Sequence, residues 1–262
     1  MNQKKLKLYL LIRSWNSFQY FDQCINSVFR QNYDNYQIIF VDDASDYTHS
    51  QKKYIKQKLK EHIIVFNKKR YFSLRNAYNC IHTFCIDTDS IVVNLDGDDY
   101  LYSENALEII ASTYLQFNCL LTYGECVLIR SGLHSTLNRI PSRFLLKGLN
   151  IRYPKEIEIN NDYRDYYFIP LHARTWRTDL FKKIKKDDFL DNEKKWLKTC
   201  EDQAMFLPML EMAKTNYAVI KQPLYGYRMN HSISDAILYK NQQEIDSKTI
   251  RMKKKYNPIT GF

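Results

Sequence analysis

Short apolar runs alternate with amphipathic stretches along the first 118 residues. Four runs of five or six residues have the length and composition of buried strands: KLYLLI, YQIIFV, HIIVF and SIVVNL. The stretches between them have helical spacing; in FQYFDQCINSVFRQ, one side is predicted to carry Phe18, Phe21, Ile25, Val28 and Phe29. Strands that are buried on both faces and separated by helices predict a mostly parallel central sheet flanked by helices, with right-handed crossovers.

Serine residues precede two of the predicted helices. Ser73 stands before LRNAYNCIHTFCI, and Ser103 stands before ENALEIIASTYLQF. A serine hydroxyl accepts a hydrogen bond from a free amide of the first helical turn, so we expect both residues to be N-caps.

After residue 118 the alternation is weaker. CLLTYGECVLI predicts a strand, TWRTDLFKKI and CEDQAMFLPMLEMA predict helices, and YAVIKQPLYGYRM predicts one or two short strands. Residues 130–165 predict little regular structure, and Pro208 is expected to kink its helix because proline lacks a backbone donor. We expect this half to complete the sheet and shape a pocket, without forming a separate domain.

Charge and cysteine usage narrow the function classes. Lys and Arg number 39 against 29 Asp and Glu, which gives a formal net charge of +10. No nucleic-acid-binding signature accompanies this excess, so we expect no nucleic acid partner. The six cysteines form no C-x-x-C pair and are expected to be reduced core thiols. Without an export signal or an apolar run long enough to span a bilayer, the sequence predicts a cytoplasmic protein, whose basic tail could contact a membrane surface.

Carboxylates cluster where two of the predicted strands end. Asp42 and Asp43 close the second strand, and Asp96, Asp98 and Asp99 close the fourth within NLDGDD. Ligands of open parallel sheets bind at the carboxyl ends of the strands. Three carboxylates in four residues repel one another unless a cation or hydrogen-bond donors compensate, and Mg²⁺ or Mn²⁺ would do so. An acidic turn with Asp99 as a cap is the alternative interpretation.

Five segments in this order resemble the family 2 glycosyltransferases. VVNLDGDDYL resembles their D-x-D-D segment, and IRSWNSFQYFDQCINSVFRQNYDNYQIIFVDDASD is similar to their opening. NKKRYFSLRNAYN resembles their arginine–asparagine stretch, CEDQAMFLPMLE their E-D motif, and LYGYRMNHSIS their Y-R-x-H region. The resemblance covers roughly residues 5–235. It implies the GT-A fold, an α/β fold with a Rossmann-like, mostly parallel central sheet.

The resemblance also implies an enzyme that uses a nucleotide-diphosphate sugar, most often a UDP sugar. We expect a single domain over residues 1–262, with a nucleotide-binding half to about residue 118 and an acceptor-binding and catalytic half over about 119–235. Residues 236–262 would form a basic helical tail. The residues implied in nucleotide binding are Asn16, Asp42, Asp43, Arg75 and Asp96.

The implied chemistry is a metal-dependent, inverting transfer. Asp98 and Asp96 would hold Mn²⁺ or Mg²⁺. His231 is either a further ligand or diphosphate contact, or a structural histidine near the C-terminal strand. Asp202 would be the general base that takes the proton of the acceptor hydroxyl, with Glu201 orienting the base or the acceptor. The acceptor would be a glycan, a lipid-linked molecule or a protein.

Other interpretations remain open from the sequence. His172 and Trp176 are candidate acceptor contacts, although a histidine in this setting is as often a core residue. A catalytically silent GT-A-like binding module would lack activity toward nucleotide sugars. A metal-dependent nucleotidyltransferase would also pair aspartates with a nucleotide, but it should carry a Gly-rich or Lys/Arg phosphate signature in the first loop, and IRSWNSFQ has no glycine.

Overall fold

The computed structural model describes residues 5–130, 139–146, 148–229 and 238–259. These residues form nine strands, nine α-helices and one 3-10 helix. The strands are β1 (Leu8–Ser14), β2 (Tyr36–Asp42), β3 (Ile63–Phe66), β4 (Ile91–Asp96), β5 (Tyr100–Leu101), β6 (Leu121–Arg130), β7 (Arg139–Pro141), β8 (Thr175–Arg177) and β9 (Tyr217–Met229). The helices are α1 (Phe18–Phe29), α2 (His49–Lys58), α3 (Phe72–Phe84), α4 (Ala106–Phe117), α5 (Ser142–Leu145), α6 (Lys155–Asn160), α7 (Thr178–Lys182), α8 (Glu201–Ala213) and α9 (Lys240–Arg251), and the 3-10 helix covers Lys186–Phe189.

All nine strands belong to one mixed sheet. Its order is β3-β2-β1-β4-β8-β6-β9-β5, and β7 pairs with β6. The first four strands of this order are parallel, β8 runs antiparallel between β4 and β6, and β6 pairs with β9 in parallel. The carboxyl ends of β1, β2 and β4 therefore meet at one edge of the sheet.

Helices cover the sheet on both faces and form two apolar layers. Along β1, Leu8, Leu10 and Ile12 pack on one side, and Tyr9 and Leu11 pack on the other. This alternation follows from the two-residue period of a strand. Among the described residues, no helix is both long and apolar enough to cross a bilayer.

The strands predicted in the first half are confirmed, but both predicted serine caps are wrong. Helix α3 begins at Phe72, so Ser73 lies inside its first turn, and α4 begins at Ala106, three residues after Ser103. Side chains from elsewhere in the chain bind the free amides instead. A carboxylate from the end of β2 accepts from the first residues of α3, and Gln31 accepts from Leu107 of α4 at 3.0 Å.

Several predictions for the second half needed refinement. The segment read as a single helix from Thr175 consists of strand β8 followed by α7, and the stretch 130–165 contains β7, α5 and α6. YAVIKQPLYGYRM forms one long strand, β9, with a shift of its pairing register against β6 between Gly124 and Cys126. Helix α8 continues through Pro208, and the predicted kink there stays a prediction.

Candidate functional site

A cavity of about 360 Å³ opens at the carboxyl ends of β1, β2 and β4. This is the edge at which open α/β sheets bind ligands. Further walls come from the segment before β8, the first turn of α8, β9 and α9. The acidic, basic, amide and imidazole side chains that line it are Arg13, Asp43, Arg70, Asn76, Asp96, Asp98, Asp99, His172, Arg174, Glu201, Asp202, Gln203, Arg228 and Gln243.

A larger cavity of about 800 Å³ lies at the opposite edge of the sheet. It surrounds the amino ends of the strands, near Lys5, Tyr36 and His62. None of the site residues predicted from the sequence lines it. We therefore place the chemistry in the smaller cavity.

The turn after β4 is held tightly against β1. The amide of Gly97 donates to the carbonyl of Arg13 at 2.8 Å. A Cβ at position 97 would lie 2.9 Å from that oxygen and 2.9 Å from Cβ of Ser14, so a side chain would push the turn away. Glycine is therefore required by the close approach of the two backbones, and it fixes where the carboxylates of the turn lie.

Asp99 is the most buried carboxyl group of this turn. It accepts from the hydroxyl of Tyr225 at 3.0 Å and from the amide of Arg228 at 2.7 Å. Burial raises the pKa of Asp99 well above its usual range, and the charges of Asp98 and Asp96 raise it further. The turn thus concentrates negative charge that a cation would relieve.

Arg13, at the end of β1, pairs with Asp96. Its Nη2 lies 2.8 Å from Oδ1 of Asp96 and 3.7 Å from Oε1 of Glu201, and the arginine is 6% exposed. Burial alone would raise the pKa of Asp96, but the charge of Arg13 above all holds it below its usual value. Asp96 is therefore an ionised carboxylate whose side chain stays 29% exposed to the cavity.

Arg174, just before β8, pairs with the predicted base. Its Nη1 lies 3.0 Å from Oδ2 of Asp202, and its Nη2 lies 3.2 Å from Nε2 of His172. Burial and the charge of Arg174 lower the pKa of His172 to about 3. The imidazole is thus neutral and accepts from the guanidinium, and its ring stacks on Tyr225 at 4.4 Å.

The acidic turn offers ligands for a metal ion. Asp96, Asp99 and His172 each place one ligand atom within 4.8 Å of the others. In this group the guanidinium of Arg174 already contacts Nε2 of His172, so the histidine is the least suited ligand. Asp98 and Asp96, which line the cavity, provide the oxygen ligands that hard divalent ions prefer.

Glu201 and Asp202 occupy the first turn of α8. The residue before them, Cys200, is left-handed at φ 54°. Burial raises the pKa of Glu201 to about 7; Asp202 and Asp96 add to the rise, while Arg13 opposes it. The two neighbouring acids therefore differ in environment, because Arg174 contacts only Asp202.

Asp43 and Asp42, at the end of β2, have different partners. Asp43 accepts from Asn67 Nδ2 at 2.9 Å and from the amides of Tyr71 and Phe72 at 2.8 Å each. It caps α3 in this way and still lines the cavity. Asp42 is buried behind it, where desolvation raises its pKa.

Two other residues implied in nucleotide binding lie outside the cavity lining. Asn16 sits at the rim, where its Oδ1 accepts from the amide of Asp46 at 3.0 Å. Arg75 stacks over the ring of Tyr71 at 4.0 Å and faces Trp196 at 5.8 Å. Their nucleotide contacts remain predictions.

The rim of the cavity carries a stacked arginine that was not predicted. The guanidinium of Arg70 lies 3.5 Å from the ring centre of Trp15 and 4.5 Å from that of Phe72. It also donates to the hydroxyl of Tyr239 at 2.8 Å. This cluster joins the loop before α3 to the residue that precedes α9.

Trp176, a predicted acceptor contact, does not line the cavity. Trp176 is fully buried in the core, where its ring packs on Phe181 and Phe206, so its position lends no support to a role in acceptor binding. His231 lies outside the described residues, and its role as a ligand remains a prediction.

Sequence reasoning missed Arg13, Arg174 and Gln243. Arg13 lies near the end of β1 and Arg174 directly precedes β8, both without a recognisable motif, and Gln243 belongs to a helix that resembles an ordinary solvated tail. One signal was available: Arg13 closes an otherwise apolar strand at the edge where ligands bind.

Solved structures with the same fold include sugar transferases. Residues 1–349 of S. aureus TarS superpose with a TM-score of 0.60 at 16% identity, covering 85% of this chain and 60% of that one. The same protein has been solved with UDP and with UDP-GlcNAc. The mannosyltransferase PcManGT from Pyrobaculum calidifontis, solved with GDP-Man and Mn²⁺, gives 0.59 at 11% identity, covering 97% of this chain and 67% of that one.

These similarities confirm the predicted GT-A fold. The chain spans about three-fifths of the TarS fragment. No curated protein matches it in sequence. The model of glycosyl transferase family 2 matches residues 9–185. Because this match covers well over half of the 262 residues, the chain belongs to glycosyl transferase family 2.

Proposed function

We propose that this chain transfers a sugar from a UDP-linked donor to an acceptor hydroxyl by a metal-dependent, inverting, single displacement. One observation carries the proposal: the acidic turn of Asp96 and Asp98 and the arginine-paired Asp202 line the same cavity of about 360 Å³. Family membership supports the reaction class, and the UDP, UDP-GlcNAc and GDP-Man bound to structural neighbours support the class of donor. The acceptor would be a glycan, a lipid-linked molecule or a protein.

The acidic turn fits Mn²⁺ or Mg²⁺. Burial raises the pKa of Asp99 most, and the charges of Asp98 and Asp96 raise it further; this crowding of carboxylates is what a hard cation relieves. Asp98, together with Asp96, would hold the ion. When bound, such an ion stabilises the negative charge that develops on a leaving diphosphate without a proton transfer.

Asp202 supplies the general base in this proposal. An inverting displacement needs a group within hydrogen-bond reach of the acceptor hydroxyl to take its proton as the oxygen attacks. The side chain of Asp202 is 28% exposed in the cavity, so an acceptor can reach it. Asp43, whose carboxylate is held by the start of α3, lies on the side where the nucleotide would bind.

The test is a panel of UDP and GDP sugars incubated with Mn²⁺ or Mg²⁺, with release of the nucleotide as the readout. Asp202→Asn should lower kcat by roughly 10²- to 10⁴-fold while UDP binding stays nearly unchanged. Asp98→Ala should abolish the metal-dependent activity. Glu193→Gln, at an exposed position outside the cavity, is the matched control.

Each part of the proposal can fail separately. Full activity in excess chelator contradicts the metal requirement. A product that keeps the anomeric configuration of the donor, read by NMR, contradicts inversion. A wild-type protein that binds UDP but leaves every sugar of the panel intact supports a silent binding module instead.

A further inference from the structure

Arg174 connects the predicted base to a neutral side chain. Its guanidinium contacts Asp202 through Nη1 at 3.0 Å and His172 through Nη2 at 3.2 Å. The arginine is 6% exposed, and its carbonyl accepts from the amide of Asn94 on β4 at 3.1 Å. Both the backbone and the head group of Arg174 are therefore fixed.

This arrangement determines where the carboxylate of Asp202 points. Oδ1 accepts from the amide of Gln203 at 2.8 Å, and Oδ2 faces the guanidinium. A carboxylate has about four lone-pair sites, so each oxygen keeps one for an acceptor hydroxyl. Without the arginine, the side chain would lose the partner that holds Oδ2 and would be free to rotate away from the productive orientation.

The histidine explains why the arginine stays in place. A guanidinium has only donors, so its second arm needs an acceptor when it is buried. His172 provides that acceptor as a neutral imidazole, packed between the rings of Tyr225 and Tyr227 at 4.4 and 4.8 Å. A carboxylate there would instead compete with Asp202 for the arginine.

We propose that Arg174 is a positioning residue of the transfer reaction, which orients Asp202 toward the acceptor hydroxyl while His172 holds its other arm. This inference rests on the proposed function, because it gives Arg174 a role only if Asp202 is the base. It assigns His172 a supporting role rather than the acceptor contact predicted from the sequence. It also adds to the site an arginine that no sequence motif indicated.

The experiment compares Arg174→Gln, Arg174→Lys and Asp202→Asn with the double variant Arg174→Gln/Asp202→Asn. Activity is measured with the UDP sugar that the wild type consumes most rapidly, and binding is measured with UDP. Arg174→Gln should lower kcat by roughly 10- to 100-fold with KM for the donor and Kd for UDP within about twofold. Arg174→Lys keeps the charge and should recover part of kcat. Arg177→Gln is the control, because the side chain of Arg177 lies outside the cavity and donates to the carbonyl of Cys119 and to Oδ1 of Asn118.

The double variant separates positioning from folding. If Arg174 acts through Asp202, then Arg174→Gln should have almost no further effect on kcat once Asp202 is Asn. Losses that multiply in the double variant would overturn the proposal, as would an unchanged kcat in Arg174→Gln. If Arg174→Gln does not fold, the same comparison is made with Arg174→Lys. A wild type without activity on any sugar would refute the proposed function first, which is a different outcome from an active wild type that is indifferent to Arg174.

Discussion

Glu201 should make the free protein less stable as the pH rises. An unfolded Glu loses its proton near its ordinary pKa of 4.5, whereas burial raises the pKa of Glu201 in the folded protein to about 7. Between these values the folded state binds more protons than the unfolded state, so the free energy of unfolding falls with increasing pH. Above pH 7 the loss of free energy of unfolding caused by Glu201 no longer increases. Glu201→Gln carries no charge at any pH and should escape it.

The size of the effect follows from the shift. A rise from 4.5 to about 7 corresponds to roughly 3 kcal/mol of differential stability. The side chain of Glu201 is 24% exposed, so solvent screens part of this, and we expect about 2 kcal/mol. The variant should therefore match the wild type near pH 4.5 and exceed its free energy of unfolding by about that amount at pH 8.

Urea unfolding from pH 4.5 to 8.5, without nucleotide or metal, measures this difference. Groups that titrate alike in both proteins cancel, so the difference reports the charge at position 201 together with its coupling to Asp202 and Asp96. Glu244→Gln, at an exposed position on α9, should show no difference that changes with pH. A wild-type protein that gains stability relative to Glu201→Gln as the pH rises would refute the reasoning.

Three other changes test separate parts of the fold. Gly226→Ala should cost about 2 kcal/mol or more in thermal unfolding, because its Cβ would lie 2.5 Å from the ring of Tyr100. Asp246→Asn should lower stability by about 2 kcal/mol and also lower kcat with little change in UDP binding, since this buried carboxylate accepts three bonds from the loop before α8. Arg164→Met should cost roughly 3–5 kcal/mol, measured in urea, because it leaves the carboxylate of Glu211 buried without its ion pair.

Much of the fold could be predicted because it depends on local pattern. The strands of the first half are continuous apolar runs, and α1 shows helical spacing. The type and order of these elements could therefore be predicted from the sequence. The helix caps could not be predicted in this way. The amides of α3 bind Asp43, which is 28 residues or more away in sequence, and only the folded chain brings them together.

The same distinction applies to the site. Asp96, Asp98, Asp99, Glu201 and Asp202 were found from motifs, and the structure brings all five to one cavity. The cations that neutralise this cluster were not found, because Arg13 on β1 and Arg174 before β8 are far apart in sequence and meet only in the folded chain. The sequence shows where acidic residues are concentrated. Which basic residues lie beside them depends on how the strands are arranged in the fold.

The C-terminal helix α9 supports the site through a residue that its sequence pattern does not indicate. Its sequence resembles a basic, solvated tail, and Lys248 is exposed as expected. Yet Asp246 points inward at 2% exposure and binds the amides of Lys198 and Thr199 at 3.1 and 2.9 Å, just before the turn that carries Glu201 and Asp202. A count of charges cannot reveal that one acid of the helix faces the core. Because α9 lies beyond residue 185, where the family match ends, the turn that carries Glu201 and Asp202 is supported by a segment outside that match.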